Sequence, residues 1–418
     1  MKNKDFWVKL IPILLSSFTA WFYVMTYTPL AYMYNDFPGQ ENVVVLIAVL
    51  PGIIAMIGGF AVGGLVHVMS KKTVVVGSIV LSIVGGLIVR YTGDHSLTLA
   101  IIGSSLTGFA AGSIPAVNYA IMAEIAPKNM RDKVCGWSDA ICTAGILVST
   151  FLAGFLAADG NWTRAFDVYY ILVPVLVLVF IFYPNTKSVP SETLEKAKAT
   201  PDVENVKMNT ENSFPKILIG LVVIKFLSAL FYMAMAFNVS PYIINELKMG
   251  SSALVGTATT FATIMTIIGS SLVFVWMRIF KGASTLVAAL IIGVFSLFVV
   301  MFPTVPGIII SWMLLSVGMN SHHSSYGSVL AMAPKGRAVG IATGLFFGAT
   351  FVGEALCAYV TPWMANLIFG TSLPSTNIKT GGILCIVIAF ISYPFFKKTY
   401  KLAFPKASES EAQATVHL

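Results

Sequence analysis

Charged side chains are scarce in this chain. Asp, Glu, Lys and Arg make up 11% of its 418 residues, whereas a soluble globular domain carries about 25%. Hydrophobic residues account for 57% of the sequence, and the mean hydropathy is +0.84. This composition excludes an ordinary soluble protein and predicts an integral membrane protein.

The sequence also lacks the residues that several kinds of enzyme require. Its four cysteines, Cys135, Cys142, Cys357 and Cys385, follow no metal-ligand spacing. It contains no glycine-rich phosphate-binding loop with the accompanying Lys-Ser/Thr pair. We therefore expect no enzyme activity, no metal, no cofactor and no ATP-driven transport from this chain.

Long uninterrupted apolar runs take the place of the missing charge. Each is about 20 residues long, which is the length that crosses a bilayer as an α-helix. The sequence predicts an all-α integral membrane protein. Its twelve transmembrane helices are expected at residues 8–34, 42–67, 73–91, 97–123, 134–157, 165–184, 217–243, 252–277, 283–301, 306–332, 339–364 and 380–396.

The few charges are distributed unevenly between the loops. Most Lys and Arg fall on the side of the two termini, whereas the opposite loops carry Asp36, Glu41, Asp94 and Asp159. Cytoplasmic loops are enriched in Lys and Arg, so both termini are predicted to be cytoplasmic. The net charge of +8 therefore reflects membrane topology and does not predict nucleic-acid binding. No cleavable signal peptide is expected, because the first apolar run is long and rich in aromatics.

The second half of the chain repeats a pattern of the first half. Tyr326–Lys335 (YGSVLAMAPK) matches Tyr119–Lys128 (YAIMAEIAPK), and the aromatic residue, the Ala-Pro-Lys triplet and the spacing are all kept. Between the copies, the mixed charges and prolines of residues 185–215 predict a cytoplasmic linker. The predicted domains are an N-terminal six-helix bundle at 1–184, a C-terminal six-helix bundle at 216–396 and a cytoplasmic tail at 397–418.

Two cytoplasmic loops carry motifs that are typical of one transporter family. After the second span, GGLVHVMSKK follows the pattern Gly-x-Leu-x-Asp-x-x-Gly-Arg-Lys, with His67 in place of Asp and Ser70 in place of Gly. The loop after the fourth span holds Glu124, Pro127 and Arg131 at the family's positions. With twelve spans and an internal repeat, the sequence resembles the major facilitator superfamily of secondary transporters.

The resemblance implies a fold, a mechanism and a set of site residues. The family has two six-helix bundles that work by alternating access around a central site, and its usual state is a monomer. Gating contacts at the cytoplasmic side would fall here on Lys71, Lys72, Glu124 and Arg131, with Glu124 paired to Arg131. The family's cavity is lined by the first, fourth, seventh and tenth helices. Here those helices carry Tyr23, Tyr27, Asn118, Lys225, Tyr232, Asn320, His322, His323 and Tyr326.

Some of these side chains are unusual inside a membrane whatever the family. Lys225, the adjacent histidines and Glu354 all fall well inside apolar spans, where an ionisable group needs a partner or a water-filled cavity. We expect Glu354 to form a salt bridge with Lys225 or a histidine. Adjacent histidines project about 100° apart on a helix, so they do not form a metal site together. Tyr23 and Tyr27, four residues apart, are expected on one helical face.

The chemistry of these residues suits an anion and a proton. Lys225 and a histidine can bind a carboxylate, while tyrosines pack against an aromatic or apolar body. Histidine titrates near neutrality, so His322, His323 and Glu354 are the candidate proton carriers. The sequence favours a proton-coupled carrier that imports a small organic anion, a carboxylate, across the cytoplasmic membrane; its partners are the substrate, protons and the lipid bilayer. The alternative is a proton-driven exporter of drugs or amphipathic metabolites.

Overall fold

The computed structural model of the chain describes residues 3–127, 130–185, 214–331 and 337–403. Every regular element within these ranges is helical. Helices are expected because a segment inside a bilayer must pair its own backbone N–H and C=O groups. The predicted linker lies outside the described residues except for residues 185, 214 and 215.

The described part of the first half of the chain forms eight α-helices. They are α1 (Asn3–Thr19), α2 (Leu30–Asp36), α3 (Glu41–Val44), α4 (Leu46–Val68), α5 (Lys71–Thr92), α6 (Leu97–Ile125), α7 (Arg131–Leu156) and α8 (Leu172–Phe182). Two 3-10 helices, Phe22–Tyr27 and Trp162–Ile171, lie between them.

The described part of the second half forms eight more. They are α9 (Phe214–Tyr232), α10 (Ala234–Pro241), α11 (Ser252–Ser271), α12 (Val273–Phe280), α13 (Ser284–Met301), α14 (Val305–Ala331), α15 (Arg337–Phe369) and α16 (Pro374–Ala403). A π-helical turn at Tyr242–Glu246 and a 3-10 turn at Lys281–Ala283 join neighbouring helices.

Serine side chains mark the beginnings of several helices. The Ser70 hydroxyl accepts a hydrogen bond from the backbone N–H of Thr73 at 3.1 Å, at the start of α5. The Ser96 hydroxyl does the same for Leu99 at 3.3 Å, at the start of α6. These caps satisfy N–H groups that have no partner within the helix.

The described residues divide into two compact units. The first lies within residues 1–26, 46–156 and 161–214, and the second within 27–45, 157–160 and 215–418. Segment 27–45 is joined to the rest of the second unit by hydrogen bonds. The Ser240 hydroxyl donates to the carbonyl of Thr28 at 2.7 Å, and the backbone N–H of Ser252 donates to the Tyr32 hydroxyl at 3.3 Å.

The predicted twelve spans are confirmed in part. In the described part of the chain, ten helical stretches are long and apolar enough to cross a membrane, and they correspond to predicted spans one to nine and twelve. The predicted tenth and eleventh spans form α14 and α15, of 27 and 33 residues, but these are not among the ten. Residues 320–326 are all Asn, Ser, His or Tyr, and this polar stretch lowers the mean hydropathy of α14.

The first predicted span is not one continuous α-helix. α1 ends at Thr19, the chain continues as the 3-10 helix, and α2 begins only after Pro29, whose ring prevents a regular helix from continuing through it. A 3-10 helix has about three residues per turn, so residues four apart point in different directions. The prediction that Tyr23 and Tyr27 share one helical face is therefore wrong, and the two residues belong to different units.

The last helix is longer than predicted. α16 runs from Pro374 to Ala403, so residues 397–403 of the predicted tail are helical, while residues 404–418 lie outside the described residues. Lys401 lies in the last turn, where a positive charge interacts favourably with the helix dipole. The basic residues assigned to a tail therefore form the end of a helix.

Two glycines allow close helix packing inside the units. A Cβ added at Gly112 of α6 would lie 1.7 Å from the Ala55 carbonyl oxygen of α4. In the second unit, a Cβ at Gly353 of α15 would lie 2.6 Å from Ala229 Cβ of α9. Both distances are far below normal contact, so only glycine lets these helix pairs approach so closely. The α9–α15 contact places Glu354 beside Tyr232.

Candidate functional site

The second unit contains a buried cluster of ionisable and aromatic side chains from α9, α14 and α15. Lys225 of α9 is the most unusual member, because its side chain is fully buried, at 0% exposure. Its Nζ lies 4.8 Å from the ring centre of Tyr232 and 5.7 Å from that of Phe346. Within the described residues, no hydrogen-bond acceptor contacts this nitrogen. Lys225 is thus an ammonium held by aromatic faces, with its N–H donors unused.

Glu354 is connected to Lys225 through a tyrosine. The Tyr232 hydroxyl donates a hydrogen bond to Glu354 Oε1, while the ring of the same tyrosine lies against the Lys225 ammonium. No ion pair within 4.0 Å joins Glu354 to Lys225 or to a histidine among the described residues. The predicted salt bridge of Glu354 is therefore wrong for this structure. Lys225 and Glu354 still interact electrostatically over a longer distance.

The adjacent histidines contact different rings. His322 is 3% exposed, and its ring centre lies 5.0 Å from that of Tyr326. His323 has its ring centre 5.4 Å from that of Phe346 on α15. Lys225 interacts electrostatically with both histidines. The two imidazoles project from α14 in different directions, as their adjacent positions predict.

The arrangement has the chemistry of an anion receptor. A lysine at the centre of a membrane costs about 2.5–3.5 kcal/mol relative to an apolar residue. Cation–π contacts offset part of that cost, but they leave the N–H groups of Lys225 without acceptors. A carboxylate would supply those acceptors, and the surrounding rings would contact the apolar part of the same ligand.

Other residues predicted to line the path have partners elsewhere. Asn320 Nδ2 donates to the Ser270 hydroxyl at 2.9 Å, which joins α14 to α11. The ring of Tyr27 packs edge-on against Phe237 at 5.2 Å in the second unit. Tyr23 is 4% exposed and packs in the first unit. The structure therefore gathers the ionisable second-half candidates near Lys225 and leaves Asn320, Tyr27 and Tyr23 outside that cluster.

Asn118 is the centre of a buried network in the first unit. Its Nδ2 donates to the Ile13 carbonyl at 3.1 Å and lies within hydrogen-bond distance of the hydroxyls of Ser16 and Ser17, at 3.0 and 2.8 Å. Its Oδ1 accepts from the Tyr183 hydroxyl at 2.7 Å. A substrate would have to displace these partners, so the geometry favours a structural role for Asn118.

Replacing Asn118 distinguishes these two roles. We expect Asn118→Ala to lower the free energy of unfolding by about 1–3 kcal/mol, because it leaves buried hydroxyl and carbonyl groups without partners. Substrate affinity of the folded fraction should stay unchanged. Thermal unfolding and ligand titration measure the two quantities. The control is Ser105→Ala, which removes only one bond within its own helix; normal stability with weakened binding in Asn118→Ala would assign Asn118 to the substrate path instead.

The predicted gating residues form contacts within the first unit. Lys71 Nζ donates to Glu124 Oε1 in an ion pair, with the Lys71 side chain 5% and the Glu124 side chain 48% exposed. Lys72 Nζ lies 5.6 Å from the ring centre of Phe180. The predicted partner of Glu124, Arg131, begins α7, but its side chain is outside the described part of the structure. Glu124 is therefore paired with Lys71.

Sequence inspection missed two residues of interest. Asp139 lies inside α7 and accepts a hydrogen bond from the Tyr119 hydroxyl of α6. The sequence could have indicated Asp139, because an acidic residue within a predicted span is a functional candidate by default. Phe346 contributes an aromatic face to the Lys225 cluster, but a phenylalanine in an apolar span gives no signal of its own.

No group of three or more potential metal ligands occurs among the described residues. Cys142, Cys357 and Cys385 are buried and Cys135 is partly buried, and all four are free thiols. They lie within apolar helices, where a free cysteine behaves as a small hydrophobic residue.

Solved transporter structures share this fold. A POT family transporter in complex with a thioalcohol-conjugated peptide aligns with a TM-score of 0.70 over 95% of this chain and 96% of that chain, at 13% identity. The xylose transporter XylE from E. coli aligns with a TM-score of 0.67 over 93% of this chain and 96% of that chain, at 16% identity. At such low identity, the likeness concerns the fold alone.

Two curated relatives match parts of the sequence. An uncharacterised MFS-type transporter of Mycobacterium tuberculosis is 29% identical over 128 residues, which are 30% of this chain and 18% of that protein. The cis,cis-muconate transport protein of Acinetobacter baylyi is 34% identical over 93 residues, or 22% of each chain. The chain therefore spans only about a fifth of the length of these relatives. The family model described as "Major Facilitator Superfamily" matches residues 10–272, and the chain belongs to the major facilitator superfamily.

Proposed function

We propose that this transporter imports a small organic anion, a carboxylate, across the cytoplasmic membrane, in symport with protons and as a monomer. The observation that carries the proposal is the fully buried ammonium of Lys225, which has no hydrogen-bond acceptor in the described structure. Membrane proteins retain an intramembrane lysine in this state only at a cost. A bound anion would offset that cost by accepting hydrogen bonds from the unused N–H groups of Lys225.

The surroundings of Lys225 suggest the shape of the ligand. Tyr232 and Phe346 present ring faces to the ammonium. The ring of Tyr326 lies next to that of Phe346, and the ring of Phe396 lies next to that of Tyr326. Aromatic rings in this arrangement favour a carboxylate whose remaining part is flat and unsaturated or aromatic. The partial match to a cis,cis-muconate transport protein agrees with this class, because muconate is a conjugated dicarboxylate.

Glu354 is the proposed proton carrier, with the histidines as further candidates. An ionised Glu354 competes with a substrate anion for the positive charge of Lys225, because the two side chains interact. When Glu354 takes up a proton, that competition ends and the substrate anion binds more tightly. Release of the proton to the cytoplasm then weakens binding and favours release of the substrate. The two events are coupled by charge alone.

The first test is a ligand panel at two pH values. Purified protein is heated with conjugated and aromatic carboxylates, with their uncharged amides and with lipophilic cations. A ligand present at 100 times its dissociation constant adds about 2.7 kcal/mol of apparent stability. We expect stabilisation by the carboxylates, stronger at the lower pH, and none by the amides. Stabilisation by many lipophilic cations and not by carboxylates would overturn the proposal in favour of an exporter of drugs or amphipathic metabolites.

A further inference from the structure

A second site with the chemistry for an anion lies far along the chain from Lys225. A cavity of about 260 Å³ opens where α12 and the following 3-10 turn meet the end of α16. Three lysines line it, Lys281, Lys397 and Lys401, and none of its described lining residues is acidic. None of the ionisable residues of the proposed substrate site lines this cavity.

The chain is shaped to hold these lysines together. Gly282 packs directly on Lys397, since a Cβ added there would lie 3.2 Å from Lys397 Cγ. Lys281 has a φ of 45°, in the left-handed region that side-chain-bearing residues rarely adopt. Lys397 is oriented by Tyr393, whose ring centre lies 5.5 Å from the lysine Nζ. The basic lining is therefore part of a tight turn packed against a helix end.

The cavity borders an apolar surface of α12. Ile279 and Phe280 contribute to its lining. Ile279 is 64% exposed, and Leu272, seven residues or about two helical turns earlier on the same side, is 49% exposed. An exposed apolar strip on a membrane-spanning segment faces lipid chains. The positive charge distribution of the sequence predicts that this end of α16 is cytoplasmic.

We propose that this cavity binds the phosphate headgroup of an anionic phospholipid from the cytoplasmic leaflet. The phosphate would contact the lysines, the tyrosines would lie at headgroup level, and an acyl chain would run along the exposed face of α12. Basic pockets between transmembrane helices are suited to such headgroups. A soluble phosphate could use the same lysines, but it would gain nothing from the apolar strip, which is why the lipid is the favoured occupant.

The test compares lipid and soluble anion on the full chain. Protein in detergent is titrated with phosphatidylglycerol, with phosphatidylcholine of the same chain length and with glycerol 1-phosphate, and bound ligand is counted by native mass spectrometry. We expect saturable binding of phosphatidylglycerol only. Each lysine contributes about a fivefold gain in affinity near an anionic lipid, so the triple change Lys281→Gln, Lys397→Gln and Lys401→Gln should weaken binding about 100-fold.

The matched controls are lysines that do not line the cavity. Lys398→Gln removes the same charge one residue from Lys397, and Lys133→Gln removes one at the start of α7; both should bind phosphatidylglycerol normally. If the triple variant does not fold, Lys397→Gln is compared directly with Lys398→Gln. Equal weakening in both would reduce the effect to general surface charge and overturn the proposal. Equally tight binding of glycerol 1-phosphate would overturn the lipid as the occupant.

Discussion

Lys225→Met is expected to abolish concentrative uptake and to lower substrate affinity by at least about 30-fold. Removing one partner of a desolvated, hydrogen-bonded charge pair costs about 2–5 kcal/mol, and 1.4 kcal/mol corresponds to a factor of ten. The lost partner here is the buried ammonium, whose donors have no acceptor in the described protein. Methionine keeps an unbranched apolar side chain, one heavy atom shorter than lysine, and removes the charge and its donors. Ligand titration and proteoliposome uptake measure the two effects.

The same variant should remain as stable as the wild type. Methionine avoids the insertion penalty of about 2.5–3.5 kcal/mol for an intramembrane lysine, and it forfeits two cation–π contacts worth about 0.5–2 kcal/mol each. These contributions nearly cancel. By contrast, breaking a buried ion pair that stabilises a fold would cost about 3–5 kcal/mol.

Lost substrate affinity together with unchanged stability would identify Lys225 as a binding residue and not a structural one. Lys133→Met is the control, because Lys133 is exposed at the start of α7, and it should change neither stability nor uptake. If Lys225→Met unfolds several degrees earlier than the wild type while its folded fraction still binds carboxylates normally, Lys225 is structural and the anion site is elsewhere.

Glu354→Gln is expected to uncouple the carrier from protons. In the wild type, lowering the pH should tighten substrate binding, because a protonated Glu354 no longer competes for the charge of Lys225. Couplings of this kind are typically about 1–3 kcal/mol, or about 5–150-fold in affinity. Glutamine resembles the protonated acid at every pH, so the variant should bind tightly and without pH dependence. Accumulation driven by a pH gradient should be lost, while exchange of labelled for unlabelled substrate continues.

The partner of the carboxylate offers an independent check. Tyr232→Phe keeps the ring that faces Lys225 and removes only the hydroxyl that donates to Glu354. Loss of a hydrogen bond to a charged group disfavours the ionised form by about 1.5–3 kcal/mol, so the pH dependence of binding should move to higher pH. Substrate affinity at low pH should be kept.

The control for Glu354→Gln is Glu246→Gln in the same unit. Glu246 Oε2 accepts a hydrogen bond from the backbone N–H of Ser375 at 2.8 Å, and the amide oxygen of glutamine can accept the same bond. Its uptake should therefore retain full proton dependence. Proton-driven accumulation that persists in Glu354→Gln would contradict Glu354 as the carrier and leave the histidines as candidates.

Some of the site followed from the sequence because its residues are costly in a membrane. Lys225, Glu354 and the histidine pair stand out in apolar runs whatever the fold, since each needs a partner or a cavity. Asp139 meets the same criterion and was overlooked. Phe346 and Tyr183 could not be identified in this way, because an aromatic residue in a membrane span is ordinary until its neighbours are known.

The contacts of these residues depend on the tertiary structure. The sequence suggested Glu354 with Lys225 or a histidine, yet the structure inserts Tyr232 between carboxylate and ammonium. The family pattern predicts Glu124 with Arg131; the structure pairs Glu124 with Lys71, and the Arg131 side chain lies outside the described residues. Partners depend on helix packing, because side chains pair where they face each other across a contact, and spacing along the chain does not specify that contact.

The sequence by itself determined that this chain is a helical membrane protein of the major facilitator type. Hydropathy decides that outcome, because each apolar run must form a helix to satisfy its backbone in lipid. Only the tertiary structure decided that α9, α14 and α15 bring their ionisable groups to one place, through a close approach that Gly353 permits. Apolar helices have no preferred neighbour in lipid until their surfaces interlock, and it is this interlocking that leaves the Lys225 ammonium buried without an acceptor.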